Sequence, residues 1–212
     1  MSATHPLWRP YAPVSEENIR RARVRPDDES TWQRPVEVVP HSAEWDISYR
    51  RVADAVGAAL GERRLAIEHV GSTAVPGLAA KPVIDVDLIV ADSADEGAYL
   101  PALQEAGFEL VVREPDWEQH RLLHWREVTT NLHVFSAGAA EPRRHIAFRD
   151  WLATHADDRL AYARLKEELA KEGYSDAMQY NNRKAALIYD IYERIFAADP
   201  ATAHDPRPRR AS

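Results

Sequence analysis

Apolar and polar residues alternate most cleanly between Ile84 and Val90. Successive side chains of an extended chain point to opposite faces. Ile84, Val86, Leu88 and Val90 therefore share a core face, and Asp85 and Asp87 lie side by side on the other. Shorter extended patterns occur at Val36 to Val39, Leu65 to Val70, Phe108 to Val112, Arg121 to Glu127 and Asn131 to Phe135. In the last of these, Leu132 and Val134 share one face, and Asn131, His133 and Phe135 share the opposite one. Elsewhere the period is helical. Tyr49, Val52, Ala53, Val56 and Leu60 predict a helix from Ser42 to about Leu60, stopped by Gly61. Asp92 or Ser93 would cap a helix carrying Tyr99, Leu100 and Leu103 and ending at Gly107. After Gly138 the pattern stays helical: from Pro142 through Leu152, from about Asp157 to Lys171 with a stop at Gly173, and from about Asp176 to Ala198. Strands interrupted by helices, then a helical run, predict an α/β (α+β) fold: a mixed β-sheet with flanking helices and a C-terminal helical lobe.

Prolines mark the boundaries. Residues 1–34 carry Pro6, Pro10, Pro13 and Pro26 among Trp8, Tyr11 and Trp32. They read as an N-terminal extension with one helix between Ser15 and Arg25. Residues 35–198 form the domain, with a sheet core over 35–138 and a helical lobe over 139–198. Residues 199–212, rich in proline and arginine, are expected to be a disordered tail. The 212 residues suffice for one domain with a real core. No apolar run approaches the length of a membrane span, and the first residues lack a signal-peptide core. The expectation is a soluble, cytoplasmic protein. A net charge of −7 argues against a general nucleic-acid binder but leaves room for a nucleotide ligand. There is no cysteine, which removes disulfide and thiolate chemistry.

Two carboxylates on one strand face repel each other unless a cation sits between them. The turn before that strand supplies a matching half. Gly71 allows an unusual backbone turn and a close approach to a ligand, and Ser72 adds a hydroxyl. Phosphoryl chemistry needs metal held by oxygen ligands and N–H groups that receive phosphate oxygens. Asp85 and Asp87 are thus candidate Mg²⁺ ligands, and Gly71, Ser72 and Thr73 a candidate phosphate turn, with Lys81 in the loop between them. His133 is a candidate metal neighbour or base. Arg149, Lys166, Tyr180 and Lys184 supply cations and a phenol from later helices, Tyr180 and Lys184 sharing a face one turn apart. His69, just before the turn, fits a structural histidine best. His120 and His124 suit packing or substrate contact better than metal.

The text from Glu68 through Gly71-Ser72-Thr73-Ala74-Val75-Pro76-Gly77 to Lys81-Pro82-Val83-Ile84-Asp85 resembles the hallmark of the GrpB family, within the nucleotidyltransferase superfamily. The resemblance extends over Val36 to Pro40, Trp45, Asn131 to Phe135, Arg144 to Asp150, Leu165-Lys166, Tyr180 and Lys184. It implies a nucleotidyltransferase-like sheet and a Mg-dependent enzyme moving a nucleotidyl group from a nucleoside triphosphate to an unknown acceptor. Such enzymes usually add a third carboxylate from a later strand, where this chain offers His133. The alternative is a non-catalytic module of the same fold that binds a nucleotide or CoA-like ligand, or assists a protein partner such as dephospho-CoA kinase, to which related domains are fused.

Overall fold

The computed structural model describes residues 3–25, 37–172, 177–207 and 209, with the backbone alone for 177–179. Pro26, Trp32, Val36, Gly173 and Asp176 of the sequence argument lie outside the described residues. Five strands form one sheet: β1 (Ala66–Val70), β2 (Ile84–Val90), β3 (Phe108–Glu114), β4 (His120–Trp125) and β5 (Thr130–Ser136), in the order β1-β2-β5-β4-β3. Only the β2–β5 pair is parallel, so the sheet is mixed. The helices are α1 (Glu16–Ala22), α2 (Glu44–Leu60), α3 (Leu100–Glu105), α4 (Ala140–Thr154), α5 (Ala156–Lys171) and α6 (Ala177–Ala198).

The alternation in β2 sorts as its pattern requires. Ile84, Val86, Leu88 and Val90 join Leu123, Leu132 and Val134 in the main core, covered by Val52, Val56 and Leu60 of α2 and by Leu100 and Leu103 of α3. A second core, centred on Leu152, Tyr162 and Ile191, binds the three C-terminal helices together and takes in Val75 and Leu78 from the loop before β2. That loop therefore belongs to the helical lobe as much as to the sheet, and it ties the lobe to the sheet's polar face.

Several elements differ from expectation. Of the stretch ending at Val39, only an isolated bridge from Val39 to Ala80 forms. The helix expected after Asp92 starts late, as a 3₁₀ turn over Glu96–Ala98 followed by α3. Ser93 does not cap it; its buried hydroxyl donates to Gln119 O at 2.8 Å, and its N–H reaches Ser136 Oγ at 2.9 Å. Strand β4 ends at Trp125 and includes His120, and β3 runs on to Glu114, because the two close a tight hairpin pairing Glu114 with His120. Residues 199–207, placed in the expected tail, run back beside the N-terminal segment: Asp205 N donates to Ala3 O at 3.1 Å, and His204 Nε2 lies 3.0 Å from Glu193 Oε2. Among the described residues no helix is long and apolar enough to cross a membrane.

Candidate functional site

The polar face of the sheet and the helical lobe enclose a cleft of about 890 Å³. Its wall includes Gly71, Ser72, Thr73, Lys81, Asp85, Asn131, His133, His145, Lys166, Tyr180 and Lys184, and it continues across the sheet to Leu122 and His124. Strand parity explains the floor: Asp85, Asn131, His133, Leu122 and His124 all occupy the face opposite the core.

Gly71 turns the chain out of β1 with φ +69, a conformation that favours glycine. A Cβ there would lie 2.9 Å from Asp85 Cβ and strike Asp85 Oδ2. The glycine is thus required both by its dihedral and by the approach of the carboxylate. Ser72 follows in a 3₁₀ turn, Ser72–Ala74, with Tyr162 near its side chain. Thr73 is committed to structure: Oγ1 lies 3.1 Å from His69 Nε2 and donates to Val83 O at 3.2 Å. His69 serves the same turn. It stacks on Tyr49 at 4.7 Å, and burial holds its imidazole down to about 4, against the pull of Asp46. It therefore stays neutral and braces the turn from behind.

The two aspartates have different surroundings. Asp85 faces the cleft and accepts from Asn131 Nδ2 at 2.8 Å. Burial pushes its carboxyl up, while Asn131, Lys184 and His145 pull the other way. Asp87 has no exposed surface and is paired with His145, whose Nδ1 lies 2.9 and 3.2 Å from its two oxygens. Burial disfavours charge on His145, but the hydrogen bond and charge of Asp87 outweigh it and raise the imidazole above its ordinary value. His145 thus stands against the inner of the two strand carboxylates. Asp85 faces the cleft and Asp87 is held behind it by His145, so the two carboxylates do not open onto the cleft side by side. Among the described residues, no three His, Asp or Glu side chains are grouped to hold an ion.

The lysines converge. Lys81 and Lys184 carry their ammoniums 5.6 and 4.3 Å from the centre of the Tyr180 ring. Lys166 is almost wholly buried; its Nζ donates to Ala79 O and lies 4.7 Å from the Tyr162 ring. Burial, then Lys184, lowers Lys166 to about 7; burial, then Lys81, lowers Lys184 to about 8. Lys81 is lowered as well, also by burial. Asp85 is the carboxylate whose charge reaches all three. Tyr180 Oη is buried without a hydrogen-bond partner among the described residues.

Of the residues singled out by sequence, Gly71, Ser72, Thr73, Lys81, Asp85, His133, Lys166, Tyr180 and Lys184 share the cleft wall. Arg149 does not: its guanidinium reaches Glu68 Oε2 at 3.0 Å and His69 O at 2.9 Å, outside the cleft lining. Sequence reasoning missed Asn131 as the partner of Asp85 and His145 as the partner of Asp87. The strand face that placed Asn131 beside His133 was a readable signal for the first. Nothing local signals the second, which is closed by chain 58 positions away.

A five-stranded mixed sheet bearing a Gly-Ser turn, an open aspartate and a helical lobe of lysines defines the class of this protein. A model of the family described as GrpB protein matches residues 35–194, and the chain belongs to that family. It is 41% identical over 182 residues to a UPF0157 protein of Halalkalibacterium halodurans, covering 82% of this chain and 93% of that one. A dephospho-CoA kinase of Mycolicibacterium paratuberculosis is 28% identical over 198 residues, and the match spans 81% of this chain and 49% of the kinase. The crystal structure of conserved protein GrpB from Enterococcus faecalis superposes with a TM-score of 0.64 at 28% identity, over 75% of this chain and 96% of that one.

Proposed function

We propose that the cleft binds a phosphorylated small molecule, with a nucleoside triphosphate as the expected form. Lys81, Lys166 and Lys184 would take its phosphates beside the Gly71–Ser72 turn. The observation that carries this reading is that three lysines, all held below their ordinary basicity by burial, line one cleft, two of them over the ring of Tyr180, whose hydroxyl lacks a partner among the described residues. Ammoniums gathered this way repel one another, and an anion repays the cost. The relative named dephospho-CoA kinase is in keeping with a phosphorylated ligand. Calorimetric titration with ATP, GTP, CTP and UTP tests the reading. Binding by the native chain, weakened tenfold or more by Lys184→Ala, is expected; no binding of any of the four would overturn it.

A second reading, nucleotidyl transfer to an acceptor, is favoured by the contact of Asp85 with the Gly71 turn. Magnesium dependence belongs to this reading alone, and the engagement of Asp87 by His145 weighs against it. Release of pyrophosphate from a bound triphosphate would separate transfer from simple binding.

A further inference from the structure

Outside the lysine cluster, one line of side chains leads from the cleft to the rim of the sheet. Glu114 ends β3 and His120 begins β4, paired directly across the hairpin. His120 Nδ1 lies 2.7 Å from Glu114 Oε2, and its Nε2 lies 3.0 Å from His133 Nδ1. His133 lines the cleft, and its Nε2 has no hydrogen-bond partner among the described residues. We propose that Glu114, His120 and His133 form a proton relay that sets His133 Nε2 as the proton acceptor for a hydroxyl bound in the cleft. The proposal rests on the reading of the cleft as a ligand site.

The tautomers follow from hydrogen-bond inventory. A neutral imidazole has one donor nitrogen and one acceptor nitrogen. The Glu114 carboxylate only accepts, so His120 carries its proton on Nδ1 and accepts at Nε2. His133 must then donate from Nδ1, which leaves the lone pair on Nε2. A ligand hydroxyl gives its proton to His133 Nε2. His133 passes its Nδ1 proton to His120 Nε2, His120 passes its Nδ1 proton to Glu114 Oε2, and Glu114, 32% exposed, returns it to water. One proton enters and one leaves, and the ligand keeps the electron pair on its oxygen. Traffic in the reverse direction restores the tautomers.

The surroundings hold this line in place. His120 is nearly inaccessible, stacked on Phe135 at 4.8 Å with Trp117 edge-on at 5.1 Å. The hairpin that presents it places two non-glycine residues, Glu118 and Gln119, at φ 51 and 53. Such dihedrals persist where the surroundings over-determine them, and they cluster at functional sites. Glu118 is gripped by Arg9 and by the Glu141 N–H at 3.0 Å; the Gln119 carbonyl accepts from Ser93 Oγ at 2.8 Å and from Arg121 at 2.9 Å. Burial, and then the neighbouring His120, His145 and His124, push His133 well below its ordinary value, so it stays neutral with a single ring proton. In this relay Glu114 and His120 are positioning residues.

Nitrogen-15 correlation spectra of the histidine rings test it on the full chain at neutral pH. In the native protein His133 is expected to be protonated on Nδ1 and bare on Nε2. In His120→Phe the acceptor for Nδ1 is gone, and His133 should shift to protonation on Nε2. His133 protonated on Nε2 in the native protein, or a tautomer unmoved by His120→Phe, would overturn the relay. An ATP titration of the same samples separates the two ideas. ATP binding with His133 on the wrong tautomer contradicts the relay alone; the expected tautomer without ATP binding contradicts the cleft reading on which it rests.

Discussion

Among the described residues the hydroxyl of Tyr180 is buried without a partner, and leaving a polar group in that state costs about 1–3 kcal/mol. A ligand oxygen would remove the cost. Tyr180→Phe is therefore expected to keep or raise the thermal midpoint while weakening ATP binding about tenfold, as loss of a hydrogen bond to a charged group does; calorimetry and thermal denaturation check both halves. Lys166 makes the companion case. Its ordinary value of 10.5 falls to about 7 in the fold, chiefly through burial. The unfolded chain thus binds a proton that the native chain refuses between those limits. Native stability from this group is full above 10.5, declines as pH falls toward 7, and is level below that. Lys166→Met should raise urea stability at pH 7 by about 1–4 kcal/mol, as replacement of buried charge by apolar volume commonly does, flatten the pH dependence above 7, and weaken ATP binding. Tyr180 and Lys166 were legible as candidates in the sequence. Their energetic state was not, because it depends on which helices bury them.

At the scale of elements, the strand carrying Asp85 and the turn carrying Gly71 form one unit. The alternation of Ile84 to Val90 specifies the strand, and Gly71 specifies the turn, so both were readable locally. What could not be read was the contact that makes them interdependent. Gly71→Ala puts a Cβ at positive φ and into the Asp85 side chain. It is expected to cost roughly 1–3 kcal/mol from the backbone alone and to displace Asp85 from Asn131. Urea denaturation should show the loss, and ATP binding should fall with it; an unchanged denaturation midpoint would contradict the packing described. The start of α3 was misplaced for a related reason. Ser93 looks like a helix cap in sequence, but its hydroxyl is taken by Gln119 in the β3–β4 turn and by Ser136 at the end of β5. A capping signal carries no record of such competing tertiary partners. The same holds for the hairpin of β3 and β4, where a polar stretch concealed the Glu114–His120 pair.

Across the whole molecule, the termini meet on the helical lobe. Leu7 packs with Tyr192 and Phe196, and Trp8 Nε1 donates to Glu193 Oε1 at 2.6 Å. These contacts hold the outside of the lobe whose inside carries the lysines. The net charge of −7 conceals that inner cluster: an acidic chain places Lys81, Lys166 and Lys184 in one cleft, where burial depresses all three. An anion bound there must raise their proton affinity, since opposite charge favours the charged form. Calorimetric titration of the native chain with ATP at pH 8, repeated in buffers of different ionisation heat, measures this directly. At that pH the terminal phosphate is ionised, so protons taken up on binding go to the protein. Binding with net proton uptake is expected, with affinity that falls as pH rises through the range about 7 to 8 where Lys166 and Lys184 lose their protons. Binding without proton uptake and with affinity independent of pH, or no binding at all, would contradict it.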